Sequence, residues 1–264
     1  MSKRLISFDL HADFGCLKKP DVNVGLMLTF NILHKPALLG ILGAVVGLRG
    51  YEQKGKLPDY YQEFKDLPIG IEPLGHDKGN FTKTDIKYTN TVGYANSDGN
   101  LIVHEQTLVA PAYRCYVLVD LSNEFQQDLY NRLKANEAVY LPYIGKNECA
   151  AWFDSFDTEG GGFKEYSFTE FQPKKPFKID SLFVKKYPLK DKKQEPKLSI
   201  ATQGVSFASS FAYFERLPLR FDEQLMQYEL AEFAYSDWFY KPDSTTEPLL
   251  EIQCKDETKV VQLF

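Results

Sequence analysis

Residues 34–51 read HKPALLGILGAVVGLRGY. The run from Ala37 to Leu48 holds twelve small or apolar residues between Pro36 and Arg49. A helix that crosses a bilayer needs about twenty such residues, so this run is no membrane anchor. Nor is it a phosphate loop, because its glycines lie inside the apolar run and no Gly-Lys-Ser/Thr follows them. Gly40, Gly43 and Gly47 recur at helical spacing and share one face. Each glycine weakens a helix relative to alanine, so the spacing predicts a helix over 37–48 whose glycine face lies close to a neighbour. A buried helix pressed on a sheet fits best. Pro36 suits the first turn. The free N–H groups and positive dipole end at that turn attract anions, and His34 and Lys35 add donors there.

The 264 residues are 44% hydrophobic and 25% charged, as in a soluble protein of one or two domains. No signal-peptide pattern opens MSKRLISFDLHADF, and a cytoplasmic location is expected. Cys16, Cys115, Cys149 and Cys254 have no paired spacing, which speaks against zinc and disulfides and for a reducing compartment. The four histidines have no metal-ligand spacing, so neither a metal nor a cofactor is expected. With 20 Phe and 16 Tyr the chain is rich in aromatics, as β-rich packing or base stacking requires. Net charge is −5, which excludes a general nucleic-acid binder. Charge is nonetheless uneven. Residues 1–50 carry six bases and three acids, whereas residues 214–264 carry eleven acids and five bases. A specific anionic ligand at the amino-terminal end accounts for that asymmetry.

RLISFDL alternates, with Ile6, Phe8 and Leu10 on one face of a first strand. A loop with Lys18, Lys19 and Pro20 follows, then an extended run at 24–33 and the glycine-bearing helix. Residues 51–83 read as irregular. Residues 84–110 read as a long hairpin turning at NSDGN, 96–100. YRCYVLVDL is a further strand, and Ser122 caps a helix with Phe125, Leu129 and Leu133 along one stripe. AVYLPYIGKNECAAWF reads as strand, turn and strand. The order approaches the split βαβ pattern of ferredoxin-like domains. Gly160 to Gly162 mark a joint, giving an amino-terminal domain at 1–158 and a smaller β-rich subdomain at 159–264 that ends in a hairpin. QYELAEFAYSDWFY fits helix or strand. The basic loop at 185–197 reads mainly as a solvated face.

FDLHADFGCLKKPDVN, HKPALLGILGAVVGL and LPYIGKNEC, in that order, resemble the Cas-five family of CRISPR-associated RAMP proteins, in particular its subtype I-B branch. The resemblance covers residues 4–155 and implies an α+β fold with an RRM-like, ferredoxin-type domain. It also implies a protruding hairpin thumb, to which residues 84–110 correspond. The implied function is that of a Cascade subunit holding the 5′ handle of the CRISPR RNA. The implied partners are the large PAM-reading subunit, the backbone subunits and, through the complex, target DNA near the PAM. No membrane partner is implied.

Single-stranded RNA is held by stacking on aromatics and by Lys and Arg on phosphates. The candidate RNA-binding residues are Lys18 and Lys19 on the first loop, His34 and Lys35 at the helix mouth, and Lys146 and Asn147 after a glycine turn. His104, Gln106 and Arg114 complete the set. No catalytic residue is assigned. One branch of the family cleaves precursor RNA without metal, through Tyr, Lys and His, and His34 with Lys35 or His104 with a tyrosine are the matching groups for that alternative. That branch's catalytic set does not align onto this sequence.

Overall fold

The computed structural model describes residues 2–21, 25–89, 101–153, 162–186, 211–242 and 248–264. The NSDGN turn, Gly160, Gly161 and most of the basic loop lie outside the described residues.

Strand β1 (Lys3–Ala12) runs through the centre of the largest sheet. Ile6, Phe8 and Leu10 are fully buried on one face, as the alternation requires. Helix α1 (Lys35–Val46) follows, then helix α2 (Asp59–Phe64) and strand β4 (Ile69–Leu74). Strand β7 (Ala112–Asp120), helix α3 (Glu124–Ala135) and strand β9 (Lys164–Glu170) complete the framework. The four strands lie side by side as β9-β1-β7-β4, each pair antiparallel. The elements therefore succeed one another as β-α-β-β-α-β, with α2 added.

Beyond β9 the sheet continues through the hairpin β13 (Leu250–Cys254) and β14 (Glu257–Val261). Its two edges then meet, because Phe264 and Ile69 of β4 exchange both backbone hydrogen bonds, at 2.9 and 3.3 Å. The sheet curls around a second core of Leu5, Tyr116, Tyr166, Ile252 and Val261. The expected boundary at 158/159 lies outside the described residues, and β1 before it pairs with β9 after it in this sheet. A smaller sheet, β10 (Phe183–Lys186), β12 (Gln227–Ser236) and β11 (Ala212–Asp222), stands beside it and identifies QYELAEFAYS as strand.

The long hairpin is present as β5 (Lys83–Thr89) paired with β6 (Ile102–Val109) from Lys83↔Leu108 to Thr89↔Ile102. Every residue of β5 is exposed, whereas β6 buries Glu105, Thr107 and Leu108, the last in the main core. Two short strands, β2 (Phe14–Gly15) and β3 (Leu26–Met27), flank β6.

Several expectations change. Residues 51–83 hold α2 and β4 rather than irregular chain; Gly70 and Pro73 mask β4, and Pro73 is tolerated because β4 is the outer strand beside β7. Among the described residues of the run 24–33, only Leu26–Met27 is strand. Asn123 rather than Ser122 caps α3, accepting from Gln126 N at 3.0 Å, and Phe125 is 42% exposed while Leu129 and Leu133 are buried. Of the strand, turn and strand expected at 138–153, only a two-residue β8 (Ala151–Trp152) paired with β1 and a Tyr143↔Ala150 bridge form, and the rest of 138–150 is loop. Val139 N and Tyr140 N instead bond Val45 O and Ala44 O, satisfying carbonyls at the end of α1.

Helix α1 starts two residues earlier than expected and ends at Gly47, whose φ of 76° is the left-handed cap conformation. Leu38, Leu39, Leu42 and Val45 bury it in the main core against the sheet. The glycines do not face the sheet. A Cβ on Gly43 would lie 2.3 Å from the Cβ of Tyr60, and one on Gly40 would lie 3.6 Å from the Tyr60 ring. The close neighbour is α2.

Candidate functional site

A third face of α1 is left partly open between the main core and Tyr60 of α2. Ala37, Gly40 and Ala44 are small, partly exposed and spaced by three and four. They form, with Pro36, Ile41 and Leu48, the floor of a groove of about 650 Å³. Five tyrosines line it: Tyr51, Tyr60 of α2, Tyr140, Tyr143 and Tyr228 of β12. Tyr51, Tyr140 and Tyr143 are 59%, 53% and 43% exposed, an unusual amount of open aromatic surface. Burial pushes the Tyr228 hydroxyl up to about 12 and Tyr60 higher, so both remain protonated.

The opposite wall comes from two loops that lock together. Cys16 N donates to Ile144 O at 3.0 Å, and Ile144 N donates to Cys149 O at 2.9 Å. Gly145, with φ of 86°, lies so close to the Cys16 carbonyl that no larger residue fits there. The loop at 16–18, helix α1 and the 140–149 loop are the three segments whose ordered combination the sequence singles out. They enclose one groove.

Glu105 lines this wall and is only 4% exposed. It accepts from Lys146 Nζ at 2.6 Å and from the Tyr88 hydroxyl at 3.2 Å, and the Lys146 ammonium also lies 5.5 Å from the Tyr88 ring centre. The Cys16 thiol is pushed up to about 12, first by burial and then by Glu105. Neither wall cysteine has the depressed pKa of a nucleophile. Lys18 is exposed at the rim.

Of the nine candidate residues, Lys18, His34 and Lys146 line the groove, and Asn147 is exposed on the same turn as Lys146. His34 is not the surface residue expected. It is 4% exposed, its Nδ1 accepts the Ala37 N–H at 3.3 Å as the cap of α1, and the Phe30 and Tyr228 rings pack against it. Burial lowers its pKa to about 3, so the ring is neutral. Lys35 is 8% exposed and donates to Phe264 O at 2.9 Å; it ties the helix start to the sheet closure instead of facing solvent. Burial lowers its pKa to about 8. Lys19 pairs with Glu215 at 3.1 Å and lies over the Phe30 ring. Glu215 in turn accepts from the backbone of Asn31 and Ile32.

Arg114 belongs to a different place. It makes a two-pronged bond with Asp9 at 2.8 and 2.9 Å on the inner side of the curled sheet, and that bond, against burial, holds its pKa above the usual value. Beside it Glu72 accepts from Tyr116 at 2.6 Å and from Lys259 at 2.8 Å. This is a neutralised structural network. His104 and Gln106 lie on β6 with side chains alternating away from Glu105, and His104 is exposed opposite Lys87. Sequence reading missed Glu105, Cys16 and the tyrosines; only the high tyrosine content pointed toward them.

No helix among the described residues is long and apolar enough to cross a membrane, and no cluster of three potential metal ligands occurs among them. No family model and no curated protein matches the chain. Among solved structures it is similar to a CRISPR protein from Archaeoglobus fulgidus at 12% identity, over 98% of this chain and 99% of that one, with a TM-score of 0.49. It is similar to a chain of a CRISPR RNA-guided surveillance complex at 10% identity, over 88% and 90%, with a TM-score of 0.46. A chain of a Type III-B Cmr-beta assembly bound to cognate target RNA and AMPPnP aligns at 7% identity over 98% and 99%, with a TM-score of 0.47.

Proposed function

We propose that this chain is a non-catalytic RNA-binding subunit of the Cas-five kind, acting in a type I-B Cascade surveillance complex. It holds the 5′ handle of the CRISPR RNA and helps to anchor the large PAM-reading subunit and the backbone filament. In this reading the β-α-β-β-α-β framework is an RRM-like domain and the β5–β6 arm is the thumb. The observation that carries the reading is the meeting of the three characteristic segments on one tyrosine-lined groove with Lys18 and Lys146 beside it. Open tyrosine faces suit unstacked bases, and ammonium groups suit the phosphates between them.

The closure of the sheet supports the same choice of surface. An RRM stacks bases on the open face of its sheet. Here that face curls around its own core and carries paired charges. The groove on the helix side is what remains open. An acidic chain can still bind RNA through one local basic rim, because phosphate contacts act over about a Debye length. The non-catalytic assignment rests on geometry. His34 spends Nδ1 on the helix cap, and His104 alternates away from Tyr88 and Lys146.

Isolation of the native complex followed by RNA sequencing tests this function. CRISPR RNA sharing one 5′ end is expected, and the purified chain is expected to bind that end and leave it uncut in EDTA. A native complex without CRISPR RNA refutes the assignment, and specific cleavage refutes its non-catalytic part.

A further inference from the structure

The groove contains a polar group that the phosphate-binding function does not use. His34 accepts a backbone N–H at Nδ1, so its neutral ring carries the proton on Nε2. That N–H has no hydrogen-bond partner among the described residues, and since it is not shut off from solvent it opens on the groove that the otherwise buried ring lines. The ring is also fixed. Its Nδ1 holds the helix start, Phe30 stands at 5.3 Å and Tyr228 at 5.5 Å between ring centres.

The surroundings define what meets this donor. The floor is small and apolar, the walls are aromatic, and the cationic groups stand at Lys18 and Lys146. A phosphate fits the lysines better than a neutral imidazole on an apolar floor. A flat, π-faced group with an acceptor on its edge fits the interior. The volume lies within the range of about 300–1,000 Å³ typical of small-ligand clefts.

We propose that the groove is a subsite for one unpaired nucleobase, which lies against the small face of α1 among the tyrosines and accepts a hydrogen bond from His34 Nε2–H at a ring nitrogen or carbonyl oxygen. This rests on the RNA-binding function above and adds a base-binding pocket to its phosphate contacts. The bound strand must then turn one base out of its stack while neighbouring phosphates pass Lys18 and Lys146. His34 acts as a fixed donor, with no proton transferred.

The test uses the 5′ handle RNA recovered with the native complex, resynthesised with an abasic ribose at each position in turn. At a single position the abasic sugar should weaken binding to the full chain about tenfold, the scale of one base stacked on aromatic side chains. 2-Aminopurine at that position alone should change its fluorescence on binding. His34→Asn keeps a side-chain cap for Ala37 N–H but removes the ring donor, and should abolish most of the penalty at that position. Tyr51→Ala, at a residue 59% exposed, removes part of the wall without touching the core and should reduce the same penalty. Tight binding with a flat abasic scan overturns the base subsite while leaving handle binding intact. A sensitive position whose penalty is unchanged in both variants also overturns it. Absence of any handle binding defeats both proposals together.

Discussion

Gly40 and Gly43 sit three residues apart in α1, and alanine at the two positions should change stability in opposite directions. Alanine in place of glycine gains up to about 1 kcal/mol within a helix. At Gly40 the added Cβ lies 3.6 Å from the Tyr60 ring, an ordinary contact. At Gly43 it lies 2.3 Å from Tyr60 Cβ, whereas carbon atoms pack at about 3.5–4.0 Å. Tyr60 Cβ moves only with its backbone, so a change of rotamer brings no relief. Helix α2 must shift by roughly 1 Å. It is held by buried Tyr61 and Phe64, and the Tyr61 hydroxyl accepts from Phe221 N at 2.7 Å. Overpacking of this kind costs about 1–3 kcal/mol, which exceeds the propensity gain. Gly43→Ala should therefore lose about 1–2 kcal/mol and Gly40→Ala gain up to about 1. Urea unfolding at equal m-values measures the gap. Equal stabilisation by both alanines would refute the contact between α1 and α2.

Lys18→Ala should weaken handle binding and flatten its salt dependence by roughly 0.7 in the log–log slope, as for one lost single-strand phosphate contact. Lys35→Ala should leave the slope unchanged and lower the melting temperature, because Lys35 bonds Phe264 O inside the fold. Arg114→Ala leaves Asp9 buried without its partner and should cost about 3–5 kcal/mol in thermal unfolding; an unchanged melting temperature contradicts the structural role. For His34 the folded pKa of about 3 lies below its ordinary 6.5, so protonation favours the unfolded chain. Its stabilising contribution is complete above about pH 6.5 and declines as pH falls toward 3. Relative to His34→Asn, the wild-type chain should lose up to about 1.4 kcal/mol per pH unit between those limits, and parallel pH profiles of the two proteins would contradict the burial.

Helix α1 was legible in the sequence because its signals are local, Pro36 at the start and an apolar run with helical glycine spacing, although the end at Gly47 was not foreseen. The alternation of β1 and the hairpin arms was legible for the same reason. Strand β4 was not, since six residues containing Gly70 and Pro73 become a strand only by pairing with β7. Charge was the least reliable guide to the site. Lys35 finds its acceptor 229 residues away and Arg114 finds Asp9 at a separation of 105, and no spacing rule reports such partners. Glu105 and Tyr228 enter the groove by the same kind of long-range packing. Lys18 and Lys146 do line the groove, because the loops carrying them are themselves its wall.

The division of α1 into three faces explains why one short segment carries both fold and site. Leucines at 38, 39 and 42 secure it to the sheet, and Gly43 admits Tyr60 of α2 at close range. Ala37, Gly40 and Ala44 then stay low, so the surrounding tyrosines cannot close over the helix and a cleft persists. Larger side chains at those three positions would fill the groove from its floor without disturbing the leucine face. The cap follows the same logic. Serine or asparagine would satisfy the Ala37 N–H equally well. An asparagine also carries an N–H donor, but on a shorter side chain, whereas the imidazole places its second N–H on the far edge of a ring packed by Phe30 and Tyr228. A residue chosen for capping alone has no need of that second nitrogen, which the helix start places on the cleft beside α1.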